Sequence, residues 1–253
     1  MKLQGKIVIV TGAGSGIGEA AAMLLAQEGA HLCVVDLSAA AARRVATQIQ
    51  DAGGSADAWE VDIARAEAVQ VAWEAIVARH GRIDVLVNNA GYGIAGTVAE
   101  TSLEDWSALM RVNVDGVFHG CKYAVPVMQR QGGGVIVNTA SVAAVVGLRQ
   151  RAAYCASKGA VTALTRAMAV DHAADGIRVN CVAPGTIESP YFAQIFAQAE
   201  DPAGLRRTLE QRQLMGRLGQ PAEVARAILF LASDDGGFAT GSTLVLDGGL
   251  SAA

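Results

Sequence analysis

The stretch VTGAGSGIGEA, residues 10–20, decides the fold of this chain. It follows the apolar run KIVIV, residues 6–10, and opens a stretch with helical periodicity. Gly12, Gly16 and Gly18 allow the backbone to turn sharply and to lie close to a pyrophosphate. A helix that begins here presents free N–H groups and the positive end of its dipole. Such glycines also suit an ordinary loop, but between a strand and a helix they predict a dinucleotide-binding site.

Strands and helices alternate along the rest of the chain. Short runs rich in Val, Ile and Leu predict strands at residues 6–11, 30–36, 55–60, 83–88, 134–139, 177–182 and 243–246. Longer helical patterns lie between them, at residues 16–28, 39–52, 67–80, 103–129, 153–174 and 221–233. This order predicts an α/β fold: a single domain, residues 1–253, built on a Rossmann-type doubly wound parallel sheet of about seven strands. The least regular stretch, about 185–219, is predicted to form a helical flap over a site.

The composition argues against several classes of protein. With 253 residues, 52% of them hydrophobic and 17% charged, the chain can bury a large core. A formal net charge of −4 and the lack of a basic stretch argue against a nucleic-acid partner. No apolar run reaches the roughly 18 residues of a membrane span, and the N-terminus lacks a secretion pattern. We therefore expect a cytoplasmic protein without a membrane partner.

The four cysteines and four histidines are scattered along the chain. No two cysteines have the Cys-x-x-Cys spacing, and no Cys/His group has the spacing of a zinc site. Isolated thiols in apolar surroundings are usually small core residues. The sequence therefore predicts no metal site.

Asp36 closes the second predicted strand, in HLCVVDLS, residues 31–38. A carboxylate here can accept hydrogen bonds from both hydroxyls of an adenosine ribose, and it repels a 2′-phosphate. Positions 37 and 38 and the glycine loop hold no Arg or Lys that would attract that phosphate. We therefore predict NAD rather than NADP; a solvated aspartate at a strand end is the simpler alternative. Asp62, after the third strand, has the setting to reach the adenine.

Two asparagines follow the fourth predicted strand, in VNNAG, residues 87–91. Asparagine is a poor strand residue, and its amide can hydrogen-bond neighbouring backbone. Asn88 and Asn89 are therefore predicted to brace the sheet edge beside the cofactor. A plain Asx turn is the alternative.

Tyr154 and Lys158 lie four residues apart at the start of the helix predicted after the fifth strand. This spacing places both side chains on one face of the helix. A tyrosine with a pKa of about 10 is a poor base, but a nearby ammonium lowers that pKa and favours the phenolate. The phenolate can exchange a proton with an alcohol. Ser141 could hydrogen-bond the same oxygen, and Asn113 could bend its helix and hold a water that links Lys158 to solvent.

These motifs in combination resemble the short-chain dehydrogenase/reductase family. The resemblance spans nearly the whole chain and is carried by TGAGSGIG (11–18), NNAG (88–91), Asn113, Ser141, YCASK (154–158), PG (184–185) and DGG (247–249). It implies an NAD(P)-dependent oxidoreductase that is usually a homotetramer. It implies that Tyr154 is the acid/base, that Lys158 lowers its pKa and binds the nicotinamide ribose, that Ser141 orients the substrate oxygen and that Asn113 supports a proton relay.

The same resemblance implies a set of residues around the cofactor. They are Gly12, Ser15, Gly16, Ile17, Gly18, Asp36, Asp62, Ile63, Asn89, Ala90, Gly91, Tyr154, Lys158, Pro184, Gly185, Thr186, Ile187 and Ser189. The family often has threonine where Ser189 stands. We expect the hydroxyl contact to the carboxamide to survive that change.

Two arginines, Arg149 and Arg151, lie in the segment that lines the substrate pocket in this family. Guanidinium groups beside the reacting carbon favour a carboxylate held by paired hydrogen bonds. The stretches PGTIESP (184–190) and EQRQLMGRLGQPAEVA (210–225) resemble cytosolic 3-hydroxybutyrate and 2-keto-3-deoxy sugar-acid dehydrogenases. That resemblance implies that Arg151 and Arg212 hold the carboxylate, whereas Arg149 has no clear counterpart.

The expected activity is NAD-dependent oxidation of a secondary alcohol on a small hydroxy acid. A 2-keto-3-deoxy sugar acid of the L-fuconate or L-rhamnonate type is the first expectation, and 3-hydroxybutyrate is the second. Arginines that are solvated or paired at a subunit interface are the simpler alternative. An NADPH-dependent 3-oxoacyl-carrier reductase would want a basic residue where Asp36 stands. A dinucleotide-sensing scaffold could have lost Tyr154 or Lys158, yet both are present.

Overall fold

The computed structural model describes residues 1–252. It contains one parallel sheet of seven strands. Its strands are β1 (Ile7–Thr11), β2 (His31–Asp36), β3 (Ser55–Glu60), β4 (Val85–Asn88), β5 (Gly134–Thr139), β6 (Ile177–Pro184) and β7 (Thr243–Leu246). They are ordered β3-β2-β1-β4-β5-β6-β7, and every neighbouring pair is parallel. The order reverses between β1 and β4, which defines a doubly wound sheet. The predicted Rossmann-type α/β fold is confirmed.

Helices cover both faces of the sheet. They are α1 (Gly16–Gln27), α2 (Ala39–Asp51), α3 (Ala66–His80), α4 (Leu103–Met110), α5 (Gly116–Arg130), α6 (Ala152–His172), α7 (Pro190–Gln198), α8 (Pro202–Gln211) and α9 (Pro221–Ala232). One core joins the sheet to α1, α2 and α9, and the other joins it to α3, α5 and α6. Among the described helices, none is both long and apolar enough to cross a membrane.

The central strands are apolar along their length because they are buried on both faces. In β1, Val8 and Val10 pack into one core, whereas Ile9 between them packs into the other. Side chains alternate between the faces of a strand, so a strand covered on both sides needs no polar positions. The edge strand β3 reads SADAWE, and Ala56 is its only buried residue.

The predicted helix over residues 103–129 is interrupted. α4 ends at Met110, a wider π-helical turn covers Arg111–Asp115, and α5 begins at Gly116. Asn113 lies in that turn and is fully buried. Its side chain donates to the carbonyl of Tyr92 at 2.9 Å and accepts from the N–H of Tyr92 at 3.0 Å. The continuous helix was a wrong prediction, and the wider turn lies at the residue that was expected to bend it.

The flap, residues 185–219, contains α7 and α8. Ser189 caps α7 by accepting from the N–H of Phe192, and Asp201 caps α8 by accepting from the N–H of Gly204. The predicted helical flap is therefore present in the fold.

Gly18→Ala is expected to lower the free energy of unfolding by about 1–3 kcal/mol, because the site has no room for a side chain. A Cβ at Gly18 would collide with the carbonyl oxygen of Gly12 and lie 2.6 Å from Nδ2 of Asn89. Urea denaturation measures the change. Gly147→Ala is the matched control, because a Cβ at Gly147 meets nothing within 4 Å. Equal losses in the two variants would contradict the crowding argument.

Candidate active site

A cavity of about 520 Å³ opens at the carboxyl ends of the strands. Residues that follow the strands line it: Gly12 after β1, Asp62 after β3, Asn89 after β4 and Ala140 after β5. In open α/β sheets, ligands bind at this edge, where the strand order reverses. The cavity therefore lies where the sequence predicted the dinucleotide.

The glycine loop is shaped for close approach of a phosphate-bearing ligand. Gly12 and Gly16 have φ values of 62° and 55°, a region that favours glycine. A Cβ at Gly12 would lie 2.8 Å from the Cα of Ala90, so the loop packs directly on the NNAG segment, residues 88–91. The first turn of α1 has no side-chain cap, which leaves its N–H groups free to bind an anion. The loop thus fits the pyrophosphate of a dinucleotide.

Asn88, the last residue of β4, and Asn89, which follows it, brace this edge of the sheet, as predicted. Asn89 donates through Nδ2 to the carbonyls of Thr11 and Gly12 at 3.1 and 3.3 Å. Asn88 donates to Oδ1 of Asn138 on β5 at 2.9 Å. Sequence reasoning overlooked Thr11, whose Oγ1 accepts from the N–H groups of Asn89 and Ala90 at 3.0 and 3.1 Å. Thr11 is the last residue of β1, so its position was visible in the sequence.

Asp36 lines the cavity at the end of β2. Its Oδ2 accepts from the N–H of Gly14 at 2.8 Å, and its Oδ1 accepts from the N–H of Ser38 at 2.9 Å. Gly14 was overlooked in the sequence, although a Cβ there would lie 2.7 Å from the carboxylate. Arg44 donates to the carbonyl of Gly14 at 2.7 Å, and it pairs with Glu19 at 2.7 Å. The positive charge nearest the loop is therefore already matched by an acid.

The structure brings the predicted cofactor residues together. Apart from Gly18, all of them line the cavity: Gly12, Ser15, Gly16, Ile17, Asp36, Asp62, Ile63, Asn89, Ala90, Gly91, Tyr154, Lys158, Pro184, Gly185, Thr186, Ile187 and Ser189. Gly18 lies behind the loop, where it contacts Gly12 and Asn89. Both the cavity and its glycine-lined wall therefore fit a nicotinamide dinucleotide.

Tyr154, Lys158 and Ser141 share the other end of the cavity. The Lys158 ammonium is buried, donates to the carbonyl of Thr139 at 2.8 Å and lies 5.9 Å from the centre of the Tyr154 ring. Ser141 follows β5, and its Oγ accepts from the N–H of Ala143 at 3.1 Å. A tyrosine and a serine hydroxyl thus face one space, with a lysine behind them.

Burial is the largest influence on the pKa values of Tyr154 and Lys158. It raises the pKa of Tyr154, against the opposing effects of the Ser141 hydroxyl and of the Arg151 charge. Burial also lowers the pKa of Lys158 to about 8. The sequence predicted that Lys158 lowers the tyrosine pKa. In this structure the shift of the tyrosine pKa is upward, because removal of the phenolate from water outweighs the favourable charges.

Asn113 lies behind the cavity wall and does not line it. Besides its two bonds to the backbone of Tyr92, its Nδ2 donates to Oγ of Ser157 at 3.1 Å. Ser157 precedes Lys158 on α6, so Asn113 ties the loop after β4 to the helix that carries the tyrosine and lysine. Its part in a proton relay stays a prediction.

The structure separates the three predicted substrate arginines. Arg151, at the start of α6, and Arg212, at the end of α8, line the same cavity as Tyr154. Within residues 1–252, neither makes an ion pair or a side-chain hydrogen bond. Arg149 is exposed and does not reach the cavity, because the turn at residues 149–150, with Gln150 at a φ of 55°, leaves it on the surface.

Aliphatic and aromatic side chains that sequence reasoning did not single out also line this cavity. They are Leu148 and, from the flap, Tyr191, Phe192, Ile195, Leu205 and Leu209. The flap helices carry these residues on the side that faces the cavity, and their apolar periodicity could have pointed to them.

Known proteins resemble this chain over its full length. A family model described as "Enoyl-(Acyl carrier protein) reductase" matches residues 12–251. The cyclohexanol dehydrogenase of Acinetobacter sp. (strain SE19) is 42% identical, over 98% of this chain and 95% of its own. The 2-keto-3-deoxy-L-fuconate dehydrogenase of Xanthomonas campestris pv. campestris is 38% identical, over 99% of this chain and 81% of its own.

A solved structure shows the same fold. The crystal structure of a short-chain type dehydrogenase/reductase from Mycobacterium marinum matches with a TM-score of 0.93 and 34% identity, over 100% of this chain and 98% of that one. The two relatives and the solved structure each match at least 98% of this chain. The relatives are oxidoreductases that act on alcohols or hydroxy compounds. The chain belongs to the short-chain dehydrogenase/reductase family.

Proposed function

We propose that this chain oxidises a secondary alcohol on a small hydroxy acid with NAD, and that the substrate is a 2-keto-3-deoxy sugar acid of the L-fuconate or L-rhamnonate type. One observation carries the proposal. Arg151 and Arg212 line the same cavity as Tyr154, and neither has an acidic partner within the described residues. Two unmatched guanidinium groups in the cavity that holds the proton-transferring hydroxyl suit a substrate carboxylate.

The position of Arg151 adds to this argument. Arg151 lies three residues before Tyr154 and lines the same cavity, and its charge opposes the burial that raises the pKa of Tyr154. A small acid can therefore span the two groups, with its carboxylate on the arginines and its alcohol on the tyrosine. The relative from Xanthomonas, named for a keto-deoxy sugar acid, supports the same class of substrate.

The geometry supports a role for each of the following residues. The bound nicotinamide supplies the acceptor for the hydride that leaves the alcohol carbon. Tyr154 takes the proton of the alcohol hydroxyl, and Ser141 hydrogen-bonds the same oxygen. Lys158 stands behind the tyrosine, where its ammonium favours the phenolate that must form. The glycine loop and Asp36 hold the other end of the cofactor.

A preference for NAD is part of the proposal. The Asp36 carboxylate lines the adenosine end of the cavity, where it would repel a 2′-phosphate. Arg44 contacts the glycine loop, but its charge is already matched by Glu19. Both observations support NAD over NADP.

3-Hydroxybutyrate is the second candidate substrate, and the apolar wall favours it. Leu148, Phe192 and Ile195 offer few partners for the hydroxyls of a sugar acid. A short acid with a methyl group would leave fewer polar groups unpaired against such a wall. A screen of NAD reduction over sugar acids, hydroxybutyrates and cyclohexanol separates these candidates.

We also propose a cytoplasmic homo-oligomer, with a homotetramer as the first expectation. The helices α4 and α5 expose Leu103, Trp106 and Phe118 on the surface. Exposed apolar side chains on neighbouring helices suit a subunit interface. All four cysteines are free thiols, which suits a reducing compartment. Size-exclusion chromatography with light scattering tests the assembly.

Arg151→Leu is expected to lower kcat/KM for the hydroxy acid about 100-fold, because a charge-assisted hydrogen-bond pair contributes roughly 2–3 kcal/mol. Steady-state kinetics of NAD reduction measure the change. Arg149→Leu is the matched control, because Arg149 does not reach the cavity, and less than a twofold change is expected.

The methyl ester of the same hydroxy acid separates a carboxylate contact from a general defect. We expect wild type and Arg151→Leu to oxidise the ester at similar rates. An equal loss on acid and ester would contradict the carboxylate proposal, as would unchanged kinetics on the acid.

A further inference from the structure

A cluster of metal-binding side chains lies at the far end of the sheet from the active site. One nitrogen of His31, one nitrogen of His80 and Sγ of Cys33 all lie within 4.8 Å of one another. The Asp57 carboxylate adjoins them, with its Oδ2 at 3.0 Å from Nε2 of each histidine. The proposed dehydrogenase chemistry uses none of these groups.

The fold explains why these residues meet. His31 and Cys33 are two residues apart on β2, so their side chains point to the same face of the sheet. Asp57 is the register partner of Cys33 on the neighbouring strand β3. His80 is the last residue of α3, which packs on that face, and its ring centre lies 4.3 Å from that of His31. Sequence spacing could not reveal this site, because its members come from three different elements.

We infer that His31, Cys33 and His80 form a binding site for a divalent transition-metal ion, with zinc as the best match. Two imidazoles and a thiolate are the donors that zinc prefers. Bond lengths of about 2.0–2.3 Å place tetrahedral ligand atoms roughly 3.3–3.8 Å apart, so side-chain shifts of about 1 Å close the site. Asp57 Oδ2 contacts both imidazoles at 3.0 Å and so places a negative charge beside the proposed site.

The Asp57 carboxylate and the histidines favour a cation, whereas the buried thiol and Arg79 oppose one. Asp57 supplies a negative charge that is only 16% exposed. Burial lowers the pKa of His80, which favours the neutral imidazole that binds metals. Burial raises the pKa of the Cys33 thiol to about 12, so binding must displace the thiol proton to solvent. Arg79, which contacts Asp57 at 3.2 Å, is 60% exposed and free to swing away.

The cluster is reachable from solvent. The His31 and His80 side chains are 20% and 13% exposed, whereas Cys33 is fully buried beneath them. An ion from solvent can therefore contact the two imidazoles first and the buried thiol last. A bound ion would link the end of α3 to β2 and so stabilise the fold rather than take part in the oxidation.

The test uses the full-length protein without an affinity tag. We expect one equivalent of zinc to bind in isothermal titration calorimetry and to raise Tm by about 5 °C at 100-fold excess over Kd. Cobalt bound at the same site should show the absorption of a thiolate-to-cobalt charge transfer. His80→Gln should weaken binding of either ion at least about 10-fold, and Cys33→Ala should abolish the charge-transfer band.

His172→Gln is the matched control, because His172 also pairs with an aspartate, Asp175, at 3.0 Å but belongs to no cluster of potential metal ligands among the described residues. We expect this variant to bind zinc as wild type does. His31→Gln provides a second test if Cys33→Ala fails to fold. The proposal falls if zinc binding is absent or survives His80→Gln and His31→Gln unchanged, or if cobalt binds without a thiolate band.

Discussion

Tyr154→Phe is expected to lower kcat for alcohol oxidation by about 10³-fold, within the range of positioned general bases. The phenol lies in the cavity beside Ser141, and the Lys158 ammonium lies 5.9 Å from the centre of its ring. The variant loses one oxygen atom and keeps the ring, so the packing of α6 is retained. The Kd for NAD, measured by fluorescence titration, should change less than threefold.

The pH profile gives a second readout of the same variant. Oxidation needs the deprotonated tyrosine, and burial raises its pKa, so the wild-type rate should increase with pH toward the alkaline end. In Tyr154→Phe, this rise should disappear from the residual rate. A merely structural role for the tyrosine would lower the rate but leave its pH dependence in place.

Tyr191→Phe is the control for this prediction. Tyr191 lines the same cavity, and its hydroxyl donates to the carbonyl of Gly93 at 3.2 Å. Removal of that oxygen should change kcat by less than about fivefold, because it costs one exposed, neutral hydrogen bond. Similar losses in Tyr191→Phe and Tyr154→Phe would contradict the assignment of the acid/base.

The fold was predictable because its signals are local. The predicted bounds of β3, β5 and β7 agree with the structure, because polar or glycine-containing segments flank each apolar run or strand pattern. A bend at Asn113 was expected from the sequence, but the wider turn that divides the helix was harder to foresee. It depends on the backbone of Tyr92, 21 residues earlier, which becomes a neighbour only in the folded chain.

Site residues that belong to a single sequence motif were predictable. Residues whose role depends on the direction of a side chain were less so. Arg149 and Arg151 look alike in the sequence, yet the left-handed turn at Gln150 leaves only Arg151 in the cavity. The upward shift of the Tyr154 pKa also depends on burial, which the Tyr-x-x-x-Lys spacing does not report. The spacing of residues in the sequence therefore identifies the chemical groups of the site, and the packing around them determines their pKa values.

Asp36→Asn with Leu37→Arg is expected to lower the ratio of kcat/KM for NAD over NADP by about 10³-fold. Removal of the carboxylate ends its repulsion of the 2′-phosphate, and an arginine adds a charge-assisted bond worth roughly 1.5–3 kcal/mol. Leu37 is 69% exposed, so an arginine there needs no rearrangement of the core. Steady-state kinetics with each cofactor measure the ratio.

Asparagine at position 36 removes the negative charge but keeps the size of the side chain. The variant therefore distinguishes an effect of charge from an effect of structure. The Asp36 carboxylate accepts from the N–H groups of Gly14 and Ser38, and the amide oxygen of Asn can keep one of these bonds without the charge. Asp62→Asn is the control, because Asp62 lines the cavity after β3 and its Oδ1 accepts from the N–H of Ala64 at 3.0 Å. That variant should affect NAD and NADP alike. If Asp36→Asn with Leu37→Arg leaves the NAD preference unchanged, Asp36 does not select the cofactor, and discrimination must come from another part of the cavity.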